Sequence, residues 1–208
     1  AHIAQAGATG IVTAIHEIYD GSPWPDAAIA RQRRTIEAAG LRWSVVESIP
    51  VHPSIKLGTA ERGRYIGHWQ DTLAALARNG IGSVCYNFMP VVDWTRTDLR
   101  HPMRNWSLAL RFDPVVFAAY DVFVLRRPEA EVDYSAQRLK EAKARLASMD
   151  EAAVARVERN LIAGLPATEV KYDRAGFLKA LAAYDGISAA DLAEHLTHFL
   201  RAVVPVAE

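Results

Sequence analysis

The sequence is poor in several features that would settle its class at once. It holds a single cysteine, Cys85, in 208 residues. One thiol excludes an internal disulfide framework and a cysteine-cluster zinc site built by this chain alone. Neither sign of charge dominates, since 24 Lys and Arg stand against 24 Asp and Glu. Such balance gives no electrostatic footing to nucleic acid or an anionic membrane surface, so neither is an expected partner. No apolar run approaches the ~20 residues of a membrane-spanning helix, and no basic-then-apolar leader opens the chain. A Gly-rich phosphate loop, a Walker motif, a nucleophile-elbow serine and an HExxH zinc motif are all missing. So is the basic-aromatic interleaving of a nucleic-acid groove. Together these absences describe a soluble protein of a reducing compartment, and the expected location is the cytoplasm.

What is present is a core-forming chain. Half of the residues are hydrophobic, enough to bury one large domain or two small ones. Ala8 to Ile15 is apolar and β-branched and reads as a buried strand ending in His16-Glu17. Tyr19 to Pro25 has turn chemistry, and Asp26 to Ala39 carries a helical stripe that Gly40 closes. Leu41 to Ser48 reads as a second strand ending in Glu47-Ser48, and Ile49 to Gly58 as a loop. Glu61 to Asn79 spaces Tyr65, Trp69, Leu73 and Leu76 along one helical face, with Gly80 as its stop. Ile81 to Met89 reads as a third strand. Alternation of strand and helix in units of this size implies parallel strands with helical crossovers, an α/β class. The apolar strands predict a sheet covered on both faces.

Beyond Leu99 the pattern changes. His101 to Leu125 has no clear helix ends, and Phe117 to Leu125 fits either strand or helix. Helices are predicted over Ser135 to Ser148, over Glu151 to Ala163 behind an Asp150 cap, and over Arg174 to Tyr184 behind an Asp173 cap. Ser188 and Asp191 have the spacing of a capping box that starts a last helix. The chain divides on this reading into βα units over 1–99, a mostly helical insertion over 100–187 and a return helix over 188–208. It opens on Ala inside what reads as a helix tail and stops with a helical pattern still running, so a fragment of a longer protein is expected.

The residues that could carry chemistry stand at the strand ends. His16, Glu47 and Asn87 would share the C-terminal edge of one parallel sheet. His16 is either a functional imidazole or a structural one satisfied by a carbonyl. A carboxylate such as Glu47 facing a barrel interior is costly unless paired or bound to a ligand. Asn87 offers a donor and an acceptor, suited to sugar hydroxyls or to tying down its own loop. Arg96 has the planar fork that grips a carboxylate, with an ion pair to Asp93 or Asp98 as the rival role. Trp94 would wall a pocket or pack its loop, and Cys85 reads as a small buried apolar residue. His52, His68, His101, His195 and His198 read as loop or helix-surface residues. The last two lack a nearby carboxylate to complete a metal pair.

The stretch from Cys85 to Leu99 (Cys-Tyr-Asn-Phe-Met-Pro-Val-Val-Asp-Trp-Thr-Arg-Thr-Asp-Leu) resembles a segment of the mannonate dehydratase family. Gln5 to Ala14, Trp43 to Ser48, Asn160 to Pro166 and Val203 to Glu208 are similar to that family too, so the likeness runs through the chain. It implies a (β/α)8 TIM barrel of xylose-isomerase type, here a partial barrel of about three strands with a long helical insertion. It also implies dehydration of D-mannonate to 2-keto-3-deoxy-D-gluconate in hexuronate breakdown, and a homo-oligomer. The implied cofactor is Mn2+ or Fe2+, with ligands from later strands than these, so no metal ligand is assigned here. The main acid and base are expected outside this segment too, which alone would be inactive. His16, Glu47, Asn87 and Arg96 are left with substrate-binding roles. The competing readings are a metal-dependent sugar isomerase or epimerase on the same barrel, and a non-catalytic helical interaction module.

Overall fold

The computed structural model describes residues 2–92, 95–162 and 172–208. In chain order the elements are α1 (His2–Gln5), β1 (Gly10–Thr13), α2 (Asp26–Glu37), β2 (Arg42–Val46), α3 (Pro53–Lys56) and α4 (Arg62–Arg78). There follow β3 (Asp98–Pro102), β4 (Leu108–Arg111), α5 (Pro114–Ala119), a π-helical turn (Tyr120–Leu125) and a 3-10 turn (Ala130–Asp133). The chain closes with α6 (Ala136–Ala147), α7 (Glu151–Ile162), α8 (Arg174–Ala182) and α9 (Ala189–Ala207). The architecture is mixed α/β in two compact units. One runs up to Pro90 and includes Tyr184–Glu208, and the other is Val91–Ala183. Among the described residues no helix is long and apolar enough to cross a membrane.

In the first unit β1 and β2 pair in parallel, from Gly10 beside Arg42 to Thr13 beside Val46. The crossover between them is α2, which buries Ile29 and Ile36, ends in Ala38 and turns at Gly40 with φ +74°. That left-handed value is one a glycine adopts without cost. Helix α4 buries Ile66, Trp69, Thr72, Leu73, Ala75 and Leu76, which include three of the four stripe residues expected of it, while Tyr65 is half-buried. Helix α9 lays Phe199 and Val203 into the same core. The fully buried Phe199 ring meets Trp69 edge-on at 5.2 Å and Tyr86 at 5.8 Å. Truncating such a ring to Ala costs about 3–5 kcal/mol.

Two expectations need correction here. The third strand, expected over Ile81 to Met89, is a single parallel bridge between Val46 and Val84. The reason lies in the preceding turn. The Ile81 amide still donates to the Leu76 carbonyl of α4, so only Ser83 to Cys85 lie beside the end of β2. The amide of Val46 donates to Ser83 O at 2.9 Å, and that of Cys85 to Val46 O at 2.8 Å. Nor is β1 covered on both faces, because Val12 is 55% exposed.

In the second unit β3 and β4 form an antiparallel hairpin, where sequence patterning showed no strand. Asp113 caps α5 through the amides of Val115 and Val116, with Pro114 at its first turn. The segment Phe117 to Leu125 is helical, its last part wound as a π-turn that ends at Arg126 with φ +55°. Tyr120, Leu125, Val157, Leu161, Ile162 and Phe177 make the core of this unit. Asp121 is buried within it and accepts hydrogen bonds from Arg127 Nε at 2.9 Å, Arg127 Nη2 at 2.8 Å and the Tyr134 hydroxyl at 2.7 Å. The Arg174 guanidinium beside Glu158 holds that carboxyl below the usual range. The helix expected over Glu151 to Ala163 is described as far as Ile162, and Ala163 lies outside the described residues.

Candidate functional site

The parallel pairing puts the C-terminal ends of β1, β2 and the Ser83–Cys85 segment on one edge of the first unit. That edge is stitched by the backbone and one indole. Thr13 O accepts from the Glu47 amide at 3.0 Å and from Trp43 Nε1 at 3.1 Å. His16 follows three residues beyond the end of β1 and is exposed. Glu47 follows β2 directly, is exposed, and precedes a cis peptide bond to Ser48. Glu47 is thus not buried in the way a carboxylate facing a barrel interior would be. Asn87 is half-buried and donates from Nδ2 to Ser48 Oγ at 3.3 Å, which ties the third tip to the second. Its carbonyl oxygen keeps acceptor capacity.

Groups that sequence reading passed over stand around the loops of this edge. Lys56 Nζ donates to Met89 O at 3.0 Å, and His195 Nδ1 lies 2.8 Å from Lys56 O. His52 caps α3 by accepting from the Ser54 amide at 3.1 Å and stacks on Tyr65 with ring centroids 3.4 Å apart. Burial holds the His52 imidazole below its ordinary pKa. His68 Nδ1 sits 2.9 Å from Gly21 O. His52, Tyr65 and His68, with Ile18, Trp24 and Trp69, line a narrow hollow, of about the volume one water needs, under the loops after β1 and β2. The signal for His52 was available in His52-Pro53-Ser54, a polar cap followed by Pro at the first helical position. That for His68 was not, because its partner is a backbone carbonyl distant in sequence.

Arg96 belongs to the second unit, where it is half-buried and donates from Nη1 to its neighbour's carbonyl, Thr95 O, at 2.8 Å. Asp98 accepts from the Arg100 amide at 2.9 Å and lies 3.8 Å from His101 Nδ1. Thr97, the residue after Arg96, is a structural anchor. It is 5% exposed, and its hydroxyl donates to Arg111 O and accepts from the Asp113 amide. Asn160 Nδ2 donates to Thr97 O at 3.0 Å and ties α7 to the same point. Asp93 and Trp94 lie outside the described residues. Among the described residues no three His, Cys, Asp or Glu side chains gather about a point where a metal ion could sit. These residues therefore do not by themselves fit the divalent cation that the sequence resemblance implies.

Comparison with known proteins gives a consistent result. The sequence profile of the D-mannonate dehydratase (UxuA) family matches residues 1–208. A mannonate dehydratase from Chromohalobacter salexigens is 54% identical over 206 residues, which are 99% of this chain and 53% of that protein. Mannonate dehydratase 2 of Agrobacterium fabrum is 50% identical over 207 residues, 100% of this chain and 52% of that protein. The chain thus spans about half the length of these curated relatives. The crystal structure of a mannonate dehydratase from Streptococcus suis serotype 2 superposes with a TM-score of 0.64 at 30% identity. The match covers 96% of this chain and 43% of the other.

Proposed function

Because this chain belongs to the D-mannonate dehydratase family, we propose that it takes part in the dehydration of D-mannonate to 2-keto-3-deoxy-D-gluconate, a step of hexuronate breakdown. The observation that carries this reading is the match to the family through all 208 residues, supported by relatives at 54% and 50% identity. The parallel β1–β2 pair, its α2 crossover and the third extended segment are proposed as part of a (β/α)8 barrel. The edge bearing His16, Glu47 and Asn87 is then the active face.

The chemistry sets the demands. A weakly acidic proton beside a carboxylate must leave, negative charge must be stabilised as it develops, and the 3-hydroxyl must be protonated as it departs. A divalent cation, Mn2+ or Fe2+, would supply the charge stabilisation when bound. Its ligands are proposed to come from residues other than those described, and the principal acid and base likewise. The roles proposed for this chain are recognition. Asn87 accepts from a sugar hydroxyl through the oxygen that Ser48 leaves available. Glu47 and His16, both open to solvent, bind further hydroxyls. Arg96 is proposed as a carboxylate ligand, to be tested separately by substitution. The protein is further proposed to be cytoplasmic and to self-associate.

The test is product formation by the protein expressed from the complete reading frame that contains these residues. With D-mannonate and Mn2+ or Fe2+, a 2-keto acid should accumulate. An isomer of unchanged mass would move the assignment to an isomerase or epimerase. No product with any divalent metal would overturn the enzymatic reading.

A further inference from the structure

The tip that carries Asn87 is not held by the sheet. The last bond of its ladder runs from the Cys85 amide to Val46 O at 2.8 Å. Beyond it, among the described residues, no backbone group of residues 86–90 pairs with another backbone group. A group that recognises a substrate has to be held within about 0.5 Å of its productive place. Side chains must therefore fix this tip. Asn87 Nδ2 donates to Ser48 Oγ at 3.3 Å, on the β2 side. The Tyr86 and Phe88 rings stand 5.8 and 6.3 Å from the Phe199 ring of α9. Lys56 Nζ, from the last residue of α3, donates to Met89 O at 3.0 Å. Lys56 is half-buried, and its own backbone is held in turn. Its carbonyl oxygen can only accept, so His195 Nδ1, 2.8 Å away, carries a proton and donates it. Gly58 leaves room for that imidazole, since a Cβ there would overlap it. His195 and Phe199 are four residues apart and share one face of α9. That face reaches the Asn87 tip by two routes. One is the Phe199 ring against Tyr86 and Phe88, and the other runs through His195, Lys56 and Met89 O.

We propose that Lys56 is a positioning residue for substrate recognition. Its ammonium, set in place by His195, fixes the backbone two residues beyond Asn87, so that the Asn87 amide oxygen meets a hydroxyl of the sugar acid. The chemistry of the side chain suits the role. A charged donor makes a stronger hydrogen bond than a neutral one, and the long stem lets α3 reach a segment that the sheet has released. Lys56 acts on the substrate through Asn87 and makes no contact with it. The inference rests on the reading of Asn87 as a ligand for the sugar acid, and it gives α9 a part in that site.

The test uses the protein from the complete reading frame, with D-mannonate and the divalent metal that supports turnover. Lys56→Met keeps the apolar stem and removes the donor. Its kcat/KM should fall by up to the loss of one substrate hydrogen bond, about tenfold, chiefly through KM. The double variant with Asn87→Ala decides. If Lys56 acts through Asn87, the double variant should be no more than about twofold worse than Asn87→Ala alone. A residue that only stabilises the fold, or an ammonium that touches substrate itself, gives losses that multiply. Multiplied losses overturn the proposal, as does an unchanged kcat/KM in a folded Lys56→Met. Crystals give a readout without turnover. In Lys56→Met the Asn87 side chain should move by about 1 Å or more and leave Ser48 Oγ, and coincident tips in parent and variant overturn the proposal. If Lys56→Met fails to fold, Lys56→Gln, too short to reach Met89 O, is measured in the same two ways. A parent that makes no keto acid overturns the reading of the site as well. Multiplied losses in an active parent overturn the role of Lys56 alone.

Discussion

Replacing Arg127 with Met should destabilise the second unit by about 3 kcal/mol, mainly because it strands a buried charge on Asp121. The Asp121 side chain is 5% exposed, and three of its hydrogen bonds come from Arg127 and the Tyr134 hydroxyl. Without Arg127 the carboxylate keeps, among the described residues, the Tyr134 hydroxyl as donor. Breaking a buried pair this way costs about 3–5 kcal/mol. Because the Arg127 side chain is 30% exposed, water can partly replace it, which puts the cost at the lower end of that range. Amide hydrogen exchange over α5 and the π-turn reads this locally. At a factor of ten per ~1.4 kcal/mol, protection should fall roughly a hundredfold. Asp121→Asn keeps the shape and leaves a guanidinium that already reaches solvent, so it should cost about 1–2 kcal/mol. The pair Asp121→Leu with Arg127→Met should recover at least half the loss of Arg127→Met alone. The reasoning is refuted if Asp121→Asn exchanges faster than Arg127→Met, or if the double variant is the worst of the three.

Two further predictions concern the first unit. His52 accepts the Ser54 amide on Nδ1, a role open only to the neutral ring, and its folded pKa is depressed by burial. The unfolded chain therefore takes up the proton first. The stability from neutral His52 is complete above the unfolded value of about 6.5, and it is lost as pH falls through the folded value. The melting temperature of the parent should drop more between neutral and mildly acid pH than that of His52→Asn, whose amide caps α3 without titrating. Gly58 has φ +68°, and an added Cβ would run into the His195 imidazole that lies against Lys56 O. Gly58→Ala should cost about 1–3 kcal/mol in urea unfolding, whereas Gly63→Ala, with nothing near its Cβ, should be neutral or stabilising.

Local signals were the legible part of this molecule. Gly40 and Gly80 were read as helix stops and both have positive φ, while Ser188 and Asp191 form both halves of their capping box. Such features are set within four or five residues, so the sequence shows them directly. The hairpin was not visible because its alternation is inverted. Leu108, Leu110 and Phe112 are largely exposed, so apolar residues stand where a half-buried strand would carry polar ones. The third strand was overestimated because its apolar run is real, but the turn after α4 leaves only Ser83 to Cys85 beside β2. At the candidate site, the strand-end positions of His16, Glu47 and Asn87 followed from βα periodicity. The bonds of Lys56, His68 and His195 did not, because each partner is a backbone carbonyl whose position residue types alone leave open.

The central claim is that the sheet edge carrying Asn87 recognises the sugar acid, and kcat/KM of Asn87→Ala with D-mannonate tests it most directly. Losing one hydrogen bond to a substrate hydroxyl is worth about 1–2 kcal/mol, so kcat/KM should fall about tenfold while the melting temperature stays near that of the parent. An unchanged kcat/KM in a folded variant would contradict the account.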